Sequence, residues 1–76
     1  MTKQQFYTEI ENILEVSAGS IKGNESLGEF QQWDSLAILS FISMADSKLG
    51  VLVSPSELAK CGTVTDLLNL FPGKIS

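Results

Sequence analysis

The sequence predicts an all-α fold, a small four-helix bundle of three longer helices and one short one, with a long loop between the first two. Three observations carry that prediction. Apolar residues recur at helical spacing in separate segments, and cap residues and glycines mark where those segments start and stop. The one alternating stretch, Val51-Leu52-Val53, has no partner strand anywhere in the chain. At 76 residues, 43% of them hydrophobic, the chain holds enough apolar side chains for one core. It reads as a single domain over residues 1–76, with no repeat, low-complexity tract or linker. A core this small leaves a folding stability of roughly 3–5 kcal/mol.

The first helix is expected from about Lys3 to Val16. Phe6, Ile10, Ile13 and Leu14 fall on one face, with Gln5, Glu9 and Asn12 opposite. Thr2 and Gln5 have the form of a capping box. From Ser17 to Trp33 the period breaks at Gly19, Gly23, Asn24 and Gly28. So long a connection usually has a function. Ile21, Leu27, Phe30 and Trp33 are expected to pin it to the helices, with a short turn near Leu27–Gln31.

The second helix starts at Asp34 or Ser35 and runs to about Lys48, stopped by Gly50. Ile38, Phe41, Ile42, Ala45 and Leu49 make its inner side. Leu36, Ser40, Ser43 and Ser47 make a small, uncharged outer stripe with one exposed leucine just after the helix start. Val51 and Val53 then tuck inward. Ser54, Pro55 and Glu57 supply a cap, a first-turn proline and a box glutamate for a short third helix over Pro55–Lys60. Gly62 ends it, and Thr63 with Asp66 caps the last helix, whose apolar face is Val64, Leu67, Leu68 and Phe71 and which Pro72 stops.

Composition removes many functions. Five Lys and Arg against nine Asp and Glu give a net charge of −4, so nothing here would neutralise a phosphate backbone, and no nucleic-acid role is expected. Histidine is absent, which excludes His-based acid–base chemistry, Ser-His-Asp triads and most zinc sites. The single cysteine, Cys61, can form no internal disulfide, and no metal site is expected. There is no basic stretch followed by an apolar block, and no apolar run approaches the ~18 residues of a membrane span. A cytoplasmic monomer without a membrane role is the expectation.

The candidate reactive group is then a serine. Ser35 lies between Asp34 and Leu36 at the first turn of the second helix. A helix N-terminus offers unpaired N–H groups and a positive dipole end, so a phosphate on Ser35 Oγ is favoured there, by typically 0.3–1 kcal/mol. A Ser or Asp before a helical run is most often a plain cap. What sets this one apart is the long apolar-pinned loop before it and the smooth outer face after it.

With Asp34-Ser35-Leu36 opening the second helix, the chain resembles the acyl carrier protein family, including the related peptidyl carrier domains. The resemblance runs through nearly the whole chain: the first helix, the long loop, the motif helix, Leu49-Gly50-Val51, the short third helix, and the Thr63-Val64-Thr65-Asp66 opening of the last. It implies that Ser35 carries 4′-phosphopantetheine through a phosphodiester, with Asp34 and Leu36 completing the motif. A phosphopantetheinyl transferase would attach the arm, since this chain has no base to activate the hydroxyl. The arm's thiol would hold an acyl or aminoacyl group as a thioester for loading and transferring enzymes. The chain would be their substrate and not an enzyme. Leu36, Ser40, Ser43 and Asp46 would form the docking face. Carriers of bacterial fatty acid synthesis usually bear several acids along this face. Here Ala37, Ser40, Asp46 and Ser47 provide one, and the Trp33-Asp34-Ser35-Leu36 form looks more like stand-alone carriers of polyketide, aminoacyl or surface-glycan routes. A competing reading is a cofactor-free helical module that docks through Leu36.

Further expectations follow for the neighbourhood. A hydrophobic cleft is expected between the motif helix and the short third helix, walled by Leu27, Ile42, Ala45, Val53, Leu58 and Cys61. Cys61 reads as a small core residue and Trp33 as packing for the loop. Glu25, Glu29 and Asp34 read as solvated charges.

Overall fold

Each of the four helices starts at a cap that the sequence supplies. The computed structural model describes all residues, Met1–Ser76. Helix α1 spans Lys3–Leu14. Thr2 Oγ1 accepts the Gln5 N–H at 3.1 Å, and Gln5 Oε1 accepts the Thr2 N–H at 2.9 Å. The helix stops short of Val16 because Glu15 turns left-handed, with φ 58 and ψ 40. Its N–H reaches back to the Asn12 carbonyl, and that of Val16 to Glu11. A glutamate there does what glycine usually does at a helix end, at a cost of roughly 1 kcal/mol.

Helix α2 spans Ser35–Met44, and one wider π-type turn, Ala45–Leu49, carries it to Gly50 in the left-handed conformation. Helix α3 spans Pro55–Ala59 behind the Ser54–Glu57 capping box, and α4 spans Val64–Leu68 behind that of Thr63 and Asp66. The last helix is therefore five residues long and not one of three longer helices. Two longer helices and two short ones make the fold. The reason lies after Leu68. The N–H groups of Leu70 and Phe71 bond three residues back, to Leu67 and Leu68, in tight turns, and Pro72 cannot rejoin a helix. Phe71 still reaches the core, from a turn.

No strand forms, and a single bridge between Ser26 and Thr63 is the only extended pairing. Val51 is half-buried, Val53 is buried and Leu52 between them is 81% exposed, so the alternation is real although no sheet uses it. The core centres on aromatic rings. Phe6 of α1, Phe41 of α2 and Phe71 lie 5.9–6.1 Å apart, centroid to centroid, and Trp33 meets Phe41 edge-on at 6.0 Å. Such pairs add about 0.5–1.5 kcal/mol each beyond the area they bury.

The loop from residue 15 to 34 is pinned by apolar side chains, as expected. Ile21 and Leu27 are buried, Phe30 and Trp33 half-buried, and a 3-10 turn forms at Leu27–Glu29. Polar bonds that no local spacing announces hold it as well. Glu11 of α1 is 2% exposed, and its Oε2 accepts the N–H groups of Gly19 at 2.9 Å and Ile21 at 3.1 Å. The Gly23 carbonyl accepts the Thr65 N–H at 2.9 Å, the Glu25 carbonyl accepts that of Val64, and the Gly62 carbonyl accepts that of Leu27. The loop is thus stitched to α1 on one side and to the start of α4 on the other.

Candidate functional site

Four residues, Trp33 to Leu36, turn the end of that loop into a helix start. Trp33 anchors the turn by packing on Phe41. Asp34 stands in extended geometry as the N-cap: its Oδ1 accepts the Ala37 N–H at 3.0 Å, and its carbonyl accepts that of Ile38 at 2.9 Å. Of the two helix starts the sequence allows, Asp34 is the cap and Ser35 is not. Ser35 is the first helical residue, its side chain is exposed, and its hydroxyl bonds to no other residue. With Ala37 and Ile38 served by Asp34, the N–H groups of Ser35 and Leu36 stay unpaired. A free hydroxyl therefore stands beside two free donors at the positive end of a helix dipole.

In the sequence around Ser35 the charged residues, Glu25, Glu29, Asp34 and Asp46, are all acidic. Residues 23–47 contain no lysine, and Lys48, where the positive charge resumes, is bound to Glu9 of α1 at 2.6 Å. No group of residues suited to a metal ion occurs. The ionisable side chain next to Ser35, Asp34, has one carboxylate oxygen engaged with the Ala37 N–H.

The expected docking residues share an open surface, since Leu36, Ser40, Ser43 and Asp46 are all exposed. Leu36 is 72% exposed, and it is not alone: Leu39, one turn on, is 61% exposed. The two leucines stand at i, i+3 spacing in the sequence, so Leu39 extends the apolar part of the outer stripe. Ala37 is corrected in the other direction. It is 5% exposed and belongs to the interior, so it is no outer-face position that lacks an acid.

The expected cleft against α3 is closed. Leu27, Ala45, Val53 and Leu58 are all buried in the core and pack together, with Ile42 and Cys61 half-buried against them. The one surface groove lies on the opposite flank of α2, between its first turns and the end of α1. It measures about 430 Å³ and is lined by Asn12, Ile13, Glu15, Gln32, Asp34, Leu36, Ala37 and Ser40.

The acids expected to be solvated charges have separate fates. Glu29 is exposed. Asp34 is the cap. Glu25 accepts the N–H groups of Lys22 at 2.7 Å and Gly23 at 2.9 Å, which makes it a loop staple. Partial burial pushes its carboxyl up, but those two donors outweigh that effect and leave it below its ordinary value. The backbone N–H groups of Gly62 and Thr63 likewise hold Asp66 low. Cys61 is half-buried, its thiol raised by burial and by the charges of Asp66 and Glu57, which fits a packing residue and not a nucleophile.

Comparison with known proteins adds one finding. The family described as phosphopantetheine attachment site matches residues 4–71. No curated protein and no solved structure matches the chain.

Proposed function

The chain belongs to the phosphopantetheine attachment site family, whose members carry covalently bound 4′-phosphopantetheine, and on that premise we propose that Ser35 is the attachment residue of a carrier protein. The observation that supports this most is the exposed, unbonded Ser35 hydroxyl at the first position of α2. The site fits the group. Asp34 directs its own carboxylate at Ala37 and so leaves the N–H groups of Ser35 and Leu36 to face a phosphodiester. When bound, the group supplies a terminal thiol that holds cargo as a thioester.

The chain's own contribution is position. Asp34 fixes the start of α2, Trp33 and the stitched loop hold it in place, and Ser35 presents its hydroxyl to a phosphopantetheinyl transferase, which supplies the base. Acyl- or aminoacyl-handling enzymes then approach the surface of Leu36, Leu39, Ser40, Ser43 and Asp46. Tethering raises the effective concentration of the cargo at each of them. The sparse charge of that surface favours a stand-alone carrier, docking through apolar contact, over the strongly acidic carriers of fatty acid synthesis.

Intact mass after co-expression with a broad-specificity phosphopantetheinyl transferase tests the proposal. Gain of one phosphopantetheine, absent in Ser35→Ala and mapped to the peptide that holds residue 35, is the expected result. An unmodified chain would leave the exposed leucines as the docking face of a cofactor-free module.

A further inference from the structure

We infer that the groove between the end of α1 and the start of α2 is the resting place of the chain's own pantetheine arm, an inference that rests on attachment at Ser35. Asp34 and Leu36, the residues on either side of Ser35, both line this groove, and Ser40 lies further along the same helix. From Asp34 to Ser40 the groove follows α2 for about 9 Å. The two amide units of the arm resemble extended peptide at roughly 3.3–3.6 Å per residue, so with the cysteamine end they cover that span.

The chemistry of the lining matches the neutral part of the arm, which has two amides, a hydroxyl and a pair of methyl groups. Asn12, Gln32 and Ser40 bring donors and acceptors that no hydrogen bond within the fold uses, and all three are exposed to meet a ligand. Ile13, Ala37 and Leu36 give an apolar floor and wall for the methyl groups. Attachment to Ser35 fixes the phosphate at the helix start, and the Glu15 carboxylate in the lining disfavours an anion in the groove, which leaves it to the neutral part of the arm. The other flank of α2 offers no room, because Leu27, Val53 and Leu58 are each 6% exposed or less.

Isotope-labelled protein, compared by NMR before and after modification, tests this. Intact mass is read first: a chain that gains no phosphopantetheine overturns the attachment reading, and this inference with it. For the modified protein, the side-chain amide signals of Asn12 and Gln32 and the backbone signals of Ala37 and Ser40 should move. The paired methyl groups of the arm should show through-space contacts to the methyls of Ile13 and Ala37. In the Asn12→Ala, Gln32→Ala double variant those contacts should be lost while the mass gain stays, since both side chains are exposed and outside the core. Shifts confined to residues 34–36 would mean a free arm, and contacts to Val53 or Leu58 would place it against α3. Either result overturns the inference while leaving the carrier assignment intact.

Discussion

Removing the Glu11 carboxylate should loosen the loop that delivers the Asp34-Ser35 turn. One oxygen of Glu11 accepts from both Gly19 and Ile21, and the two bonds differ in what their loss would cost. Gly19 is exposed, so water can take up its N–H. Ile21 is buried, and in Glu11→Ala its N–H is left unpaired at a penalty of about 1–3 kcal/mol. Glu11→Ala should therefore cost about 2 kcal/mol, a large share of a stability of roughly 3–5 kcal/mol. For a chain of this size that lowers the melting temperature by about 8–16 °C. Glu11→Gln keeps an oxygen of the same shape but loses the charge, which contributes about half the strength of such a bond, so about 1 kcal/mol should be lost. Urea unfolding of the three proteins measures the costs, and amide exchange at Ile21 shows whether the loop opens. An alanine variant within about 0.5 kcal/mol of the parent, with Ile21 still protected, would refute the reasoning.

Asp34→Ala should destabilise the chain by about 1 kcal/mol through the lost cap, whereas Ser35→Ala should stay within about 0.5 kcal/mol, and thermal melts separate the two. In Gly23→Ala the new Cβ would stand 2.6 Å from Tyr7 Oη at a φ of +114, so unfolding should be easier by more than about 1 kcal/mol. Tyr7→Phe in the same chain should restore part of that loss, and equal urea midpoints for the single and double variants would dismiss the clash. Glu25 and Asp66 ionise more readily folded than unfolded, so their stabilisation is present above the ordinary carboxylate range and is lost as pH falls through it. Urea midpoints should drop between neutral pH and pH 3, less steeply in Glu25→Gln and Asp66→Asn. Leu36→Ala should weaken recognition by a cognate enzyme by ~1 kcal/mol or more, while raising salt to physiological levels matters less. Transfer kinetics with a strong salt dependence and an indifferent Leu36→Ala would return the interface to charge pairing.

What the sequence disclosed was local. Thr2 with Gln5, Ser54 with Pro55 and Glu57, and Thr63 with Asp66 are bonded to neighbours three residues away, so their spacing alone announces them. The helix start at Ser35 was legible for the same reason, with the role of cap passing to Asp34 one residue earlier. Glu11 was not legible, because its partners lie eight and ten residues on in a loop without periodicity. The burial of Ala37 is not legible, because helical periodicity shows which residues share a face but not which face meets α1. Phe71 continued the period of α4, and only the turns after Leu68 separate a buried position from a helical one. The groove depends on how the end of α1 meets the start of α2, and no single segment carries that information.

The indole of Trp33 gives the molecule an optical handle. It is the only tryptophan, it is half-buried edge-on against Phe41, and it stands two residues before the serine that would be modified. Emission excited at the red edge of the protein band therefore comes from a single place in the chain. An added phosphodiester, a partner settling on Leu36 or a loosened loop would each change the polarity and water access around that one ring. Titrations and stopped-flow mixing can follow the site without any attached dye, and the wavelength shift distinguishes a ring that has become wetter from one that has become shielded.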